Sequence, residues 1–171
     1  RPSSELFAAA VAELQRTSQL VRDGAGLHLP GHLAALTGEE GVLWQKVEPL
    51  LEAGDLRPPR VREIAAAIGI DHEDIESLLK RAAYLGLVLK VADNRFFPPV
   101  TVARLATLAE QLALETDDGM FTAGAYKDRS GIGRNVTIQL LEFFDKHGFT
   151  KRDGEARRII RPAQPVFQPT R

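Results

Sequence analysis

A mainly α-helical chain with small β-hairpins, arranged as tandem winged-helix domains, is the fold class this sequence predicts. Three observations lead there. The chain repeats itself: Leu78-Leu79, Gly86-Leu87 and Arg95-Phe96-Phe97 recur 62 residues later as Leu140-Leu141, Gly148-Phe149 and Arg157-Arg158-Ile159. In both copies a long helical pattern ends at a glycine, which takes the left-handed cap conformation without steric cost, and a short hairpin follows. In the second copy, Gly131-Ile132-Gly133 joins two helical stretches by a tight turn, the mark of a helix-turn-helix.

The first full copy spans 37–100. Thr37-Gly-Glu-Glu40 fits a capping box, with Glu40 reaching back to Thr37. Val42, Leu43, Val47, Leu50 and Leu51 supply that helix's expected buried face, and Trp44 is expected in the core or at a module interface. Leu56-Arg-Pro-Pro-Arg60 is a loop, because proline stays out of helix interiors. Val61–Ile68 is a short second helix closed by Gly69. Asp71 caps a third, whose apolar residues are Ile75, Leu78, Leu79, Ala82 and Leu85. Asp93-Asn94 turns between two short strands.

The second copy, 101–161, keeps the order. A helix over 101–116 carries Val102, Leu105, Leu108, Ala109 and Leu112 on one face. Asp117-Asp-Gly119 ends it, and Thr122 caps a short helix to about Ser130. Arg134–His147 is the third helix, and strands near 149–152 and 157–161 form the wing around Asp153-Gly154. Residues 1–36 read as the back half of a truncated winged-helix module. They comprise a helix over Leu6–Gln15 and a hairpin around Asp23-Gly24. Residues 162–171, rich in proline, read as a flexible tail.

Composition limits the chemistry. The chain has 171 residues, of which 44% are hydrophobic and 26% charged, ordinary for a globular protein. It has no cysteine, which excludes disulfides and zinc–thiolate sites. No apolar run is long enough to cross a bilayer, and the N-terminus lacks the regions of a secretory signal, so a cytoplasmic piece of a longer chain is expected. The four histidines lack metal-ligand spacing, and no Gly-x-x-x-x-Gly-Lys-Ser/Thr loop is present. No catalytic constellation emerges.

The net charge of −1 hides a gradient. Residues 1–100 hold 11 Lys+Arg against 14 Asp+Glu, whereas 121–161 hold 9 against 5. A local patch decides binding more than a total does. In 121–161 the cations stand at a glycine turn (Lys127, Arg129), at a helix start (Arg134) and on the wing (Lys151, Arg152, Arg157). A helix start attracts phosphate through its free N–H groups and dipole. Toward the other end of that helix, Glu142 and Asp145 would repel a backbone lying lengthwise. Contact is therefore expected through the helix tip, the turn and the wing. For Arg152 and Arg157 the competing expectation is an ion pair to Asp153 or Glu155 across the hairpin.

The counterpart of Arg134 in the first copy is His72, and those of Thr150, Lys151 and Arg152 are Val88, Leu89 and Lys90. The first copy therefore reads as a spacer and the second as the binder. A nucleic-acid module is the leading reading. A DNA-binding transcription regulator would want a more basic third helix, and a protein–protein adaptor would suit the acidic first copy better than the second.

Three stretches carry a family resemblance: Tyr126-Lys-Asp-Arg-Ser-Gly-Ile-Gly-Arg134, Leu140-Leu-Glu-Phe-Phe-Asp145 and Gly148-Phe-Thr-Lys-Arg152, with Leu27–His32 and Trp44–Pro49 in support. They resemble the C-terminal winged-helix region of the bacterial selenocysteine-specific elongation factors, SelB. The resemblance implies that the last winged helix grips the loop and upper stem of an mRNA hairpin (SECIS) that marks UGA for selenocysteine. Carried over by position, the RNA-facing groups are Lys127, Arg129, Gly131, Gly133, Arg134 and Asn135, supported by Lys151, Arg152 and Arg157. Lys127 stands where the family usually has arginine, and Asn135 where it usually has lysine. The resemblance also implies a monomer without a cofactor of its own. GTP and magnesium would belong to a GTPase body elsewhere in the full-length factor, through which the ribosome and selenocysteyl-tRNA would be met.

Overall fold

The computed structural model describes residues 35–163 throughout, together with 9, 11–14, 16, 17, 21–23, 26–28 and 167. In the first stretch, residues 9, 11–14 and 16 are helical. Strands β1 (Val21–Asp23) and β2 (Gly26–His28) pair antiparallel, with Val21 opposite His28. The remainder of the expected Leu6–Gln15 helix, the Asp23-Gly24 turn at Gly24, and His32 lie outside the described residues.

The first winged helix is built from α1 (Gly38–Ala53), α2 (Val61–Ile68), α3 (His72–Tyr84), β3 (Leu89–Ala92) and β4 (Arg95–Phe97). Thr37 N–H donates to the Glu40 carboxylate at 3.0 Å, closing the start of α1. Val47 and Leu51 are buried, with Leu43, Trp44 and Leu50 packed beside them. Val42, expected on that face, is 58% exposed. The buried stripe runs through 43, 47, 50 and 51, and Val42 falls about 100° away from its neighbour around the helix. Gly69, at φ +68°, turns the chain out of α2, and the Asp71 carboxylate accepts from Glu73 N–H at 3.1 Å to start α3.

The second winged helix comprises α4 (Pro99–Leu114), β5 (Met120–Thr122), α5 (Ala123–Ser130), α6 (Arg134–Lys146), β6 (Thr150–Asp153) and β7 (Ala156–Ile159). Its sheet has three strands in the order β5-β7-β6, not the two-stranded wing expected. Met120–Thr122 pairs with Ala156–Arg158 in antiparallel register. Three residues after Gly119, the last of them a helix cap, are too few to show an alternating pattern in sequence. Thr122 then caps α5, its Oγ1 accepting from Ala125 N–H at 3.2 Å.

The hairpin β3–β4 links the modules. Successive strand residues face opposite sides. Accordingly Val88 and Phe96 enter the first core, while Leu89, Val91 and Phe97 pack in the second. Both Phe96 and Phe97 are essentially inaccessible, and burying each contributes about 2–3 kcal/mol. Asp55 adds a polar tie, its carboxylate accepting from Arg104 Nη1 at 2.6 Å. The apolar first wing noted in the sequence is thus a hairpin buried on two sides.

The tail reading is corrected at two positions. Ala163 and Phe167 are each 4% exposed. Phe167 sits 5.3 Å from the Phe144 ring and 5.4 Å from Phe149, centroid to centroid. Ala163 N–H donates to Glu110 at 2.7 Å. A single aromatic ring among prolines buries enough apolar area to anchor there.

Candidate nucleic-acid interface

The turn between α5 and α6 sets the candidate interface. Gly131 (φ +69°) and Gly133 (φ +81°) hold conformations that a side chain would strain. Between them Ile132 is 1% exposed, driven into the core like a peg. Gly133 is the N-cap of α6 and offers no side-chain acceptor, and the first turn has no acidic residue. The opening N–H groups of the helix carry no side-chain cap, at the positive end of its dipole.

A groove runs from this turn to the wing. Lys127, Arg134, Arg152 and Arg157 line it together with Thr137, Ile138, Glu142 and Glu155. Cations from four separate elements therefore line one groove. Arg134 is exposed, and no carboxylate lies within ion-pair distance of it among the described residues. Lys127 Nζ lies 2.9 Å from Asp128, its sequence neighbour. Arg152 donates from Nε to the Gly154 carbonyl at 2.9 Å and approaches Glu155 at 3.7 Å, both within the exposed hairpin.

The remaining expected contacts are placed differently. Arg157 is 6% exposed; its Nε donates to both Asp145 oxygens, at 3.0 and 3.3 Å. Thr150 Oγ1 donates to the same carboxylate at 2.6 Å. Asp145 is thereby the clamp between α6 and the wing, not a repelling charge on the helix surface, and Arg157 forms the groove's floor instead of reaching outward. Arg157 pairs with neither Asp153 nor Glu155; Arg158 takes Asp153, at 3.4 Å.

Arg129 makes a two-pronged ion pair with Glu115 at the end of α4 and stays off the groove. That pair holds the Glu115 carboxyl below its ordinary range and Arg129 above its own. Lys151 is opposite Arg158, whereas Arg152 is opposite Arg157, so the strand's alternation sends Lys151 to the other face of the wing. The basic run Lys151-Arg152 is split by the pleat.

Asn135 and Gly133 border a second cleft, where α6 meets the first module. Arg57, Arg60 and Arg95 line it beside Ile132, Gly133, Arg134, Asn135 and Val136. No local sequence signal marks these three arginines. Two sit in a proline loop and one on a strand 35 residues away, in a region whose total charge is acidic. Their common feature in sequence is only that they flank the start of α2 and the start of β4. Among the described residues no cluster of His, Asp or Glu fits a metal ion, and no helix is long and apolar enough to cross a membrane.

Residues 36–97 match the family model described as "Selenocysteine-specific elongation factor, winged helix domain", and residues 113–159 match "Elongation factor SelB, winged helix". The selenocysteine-specific elongation factor of Escherichia coli is 37% identical over 128 residues, covering 75% of this chain and 20% of that protein. Its counterpart in Haemophilus influenzae is 30% identical over 144 residues, covering 84% and 23%. The chain thus spans about a fifth of the length of these curated relatives. Among solved structures, the mRNA-binding domain of E. coli SelB in complex with SECIS RNA superposes with a TM-score of 0.67 at 31% identity, covering 73% of this chain and 99% of that one. Two winged helices in tandem, matched one after the other and aligned with nearly all of that domain, place this chain in the family of C-terminal winged-helix regions of the selenocysteine-specific elongation factor SelB.

Proposed function

We propose that this chain is the mRNA-binding part of a selenocysteine-specific elongation factor, and that it captures a SECIS hairpin to direct UGA recoding. The observation that carries this reading is the convergence of Lys127, Arg134 and Arg152 on the groove beside the uncapped start of α6. A-form RNA hides its base edges, so recognition falls to backbone shape and to unstacked loop bases. Arg134 and the α6 amides hold phosphates. The bare backbone of Gly131 and Gly133 admits close approach, and the Asn135 amide reads a splayed base. Lys127 and Arg152 steer from the two sides. Arg157 acts indirectly, by fixing the wing, and Arg129 is withheld by Glu115 until that pair opens.

The structurally similar E. coli domain, solved in complex with SECIS RNA, supports this partner. Glu142, exposed along α6 and facing the groove, disfavours the DNA-regulator reading, because it would oppose a phosphate backbone laid along the helix. In this proposal the chain catalyses nothing and needs no cofactor. GTP hydrolysis with magnesium, selenocysteyl-tRNA and the ribosome are met by other parts of a cytoplasmic, monomeric factor. Fluorescence anisotropy with a SECIS hairpin, the same hairpin with a scrambled loop, and a DNA duplex of equal length tests it. Preferential binding of the intact hairpin is expected; equal affinity for all three overturns it.

A further inference from the structure

Arg57, Arg60 and Arg95 gather at the cleft between the modules, facing Gly133, Arg134 and Asn135, and no carboxylate lines it. The groove on the other side of Arg134 includes Glu142 and Glu155 in its lining, so the cleft is the more purely cationic of the two surfaces. The positions are firmly set. Pro58 and Pro59 fix the loop between Arg57 and Arg60. Gly54 packs so closely under it that a Cβ there would come within 2.6 Å of Pro58 Cα. Arg57 and Arg60 are exposed, while Arg95 is 5% exposed. Arg95 Nε donates to Gln139 Oε1 on α6 at 2.9 Å, which orients the guanidinium into the cleft.

The charges here are poorly balanced. Burial, then Arg60, then Arg57 depress the Arg95 pKa, and Glu63 is the one carboxylate that offsets them. Glu63 is already engaged, accepting from Arg60 N–H at 2.6 Å and lying 3.5 Å from Arg60 Nε. Gathering guanidinium groups in a cleft is unfavourable unless an anion with several oxygens joins them. Arginine's fork suits phosphate.

We infer that the first winged helix contributes directly to RNA capture, with Arg57, Arg60 and Arg95 holding backbone phosphates of the hairpin that Arg134 and the α6 tip engage. This rests on the RNA reading above and extends it to a module read from sequence as a spacer. Arg134 lines both surfaces, so one continuous strand can cross from groove to cleft over it.

The test is a salt titration of SECIS-hairpin binding by anisotropy, comparing the unaltered chain with R57Q/R60Q, R57K/R60K and, as a control that lines no part of the cleft, K46Q. Each phosphate contact removed reduces the slope of log K against log salt by about 0.7–0.9, so R57Q/R60Q should be shallower by about 1.5 and bind about tenfold more weakly at 0.1 M salt. R57K/R60K should recover most of the slope, because it keeps the charge, and K46Q should match the unaltered chain. Discrimination against a scrambled loop should persist in R57Q/R60Q, because phosphate contacts carry no sequence information. Both glutamine substitutions are at exposed positions, and an unchanged thermal melt separates lost contact from lost fold. Unchanged affinity and slope in R57Q/R60Q, with Arg134→Ala still weakening binding, overturns the inference and leaves the RNA reading standing. No preference of the unaltered chain for the hairpin overturns both.

Discussion

The two winged helices share one plan and put its last element to opposite uses. In the first, the wing is a partition: Phe96 fills one core and Phe97 the next. In the second, the wing is exposed along Lys151 and Arg152 and is held from beneath by Arg157 on Asp145. The residue that corresponds to Asp145 in the first copy is Ala83. Arg95, the counterpart of Arg157, reaches across to Gln139 of the second module instead of to its own helix, so the buried hairpin is tied between modules while the one that presents cations to solvent is ion-paired to the helix before it. The comparison teaches that charge on a wing and the means of holding it are coupled choices.

The largest expected effect tests the partition. Phe97→Ala should cost about 3–5 kcal/mol in denaturant unfolding, because it opens a cavity in the second core from within the first module. Its counterpart Ile159, only partly buried, should cost less than half as much on truncation. Equal costs would break the contrast between the two hairpins. Next is the clamp. Asp145→Ala leaves the Arg157 guanidinium unpaired at 8% side-chain exposure and should destabilise by about 2–4 kcal/mol, read from the same unfolding curves. Restoration of stability by adding Arg157→Met would sharpen the point, and a cost near zero for the single change would refute it.

A smaller effect concerns binding. Arg134→Ala should weaken SECIS-hairpin binding by about 1–3 kcal/mol, whereas His72→Ala at the matching position should leave it within about twofold. The smallest effect comes from releasing Arg129. Glu115→Gln removes its partner and one acidic charge, and should tighten hairpin binding by about two- to threefold at low salt. The sign with pH follows from the same pair. The Glu115 pKa is lowered from 4.5, so the pair contributes fully above that value and is lost as pH falls through the depressed one. Replacing Glu115 should therefore flatten the acid side of the stability profile.

Much of the fold was legible because helix ends carry local signals. Thr37, Asp71 and Thr122 start helices where their side chains or reciprocal bonds close the first turn, and Gly69 and Gly131 end them at positive φ. The 62-residue repeat supplied the topology. The misses share a cause: they depend on which neighbour arrives from elsewhere. Met120–Thr122 is a strand because β7 passes beside it. Arg157 turns inward because Asp145 waits beneath the wing. Lys151 and Arg152 part because a pleat separates consecutive residues. Arg57, Arg60 and Arg95 come together only when the first module folds, and face Arg134 only when the second packs beside it; nothing in a window of sequence joins them.

The Ile132 peg has a consequence for kinetics. A loop anchored at its midpoint by a buried side chain, and bent by glycine on either side, arrives at its target already shaped. Fixing a free backbone residue costs about 1–2 kcal/mol, and here that ordering is completed during folding. Encounter should then be governed by diffusion and charge steering, so that variants of this bend alter how long a complex lasts more than how quickly it forms.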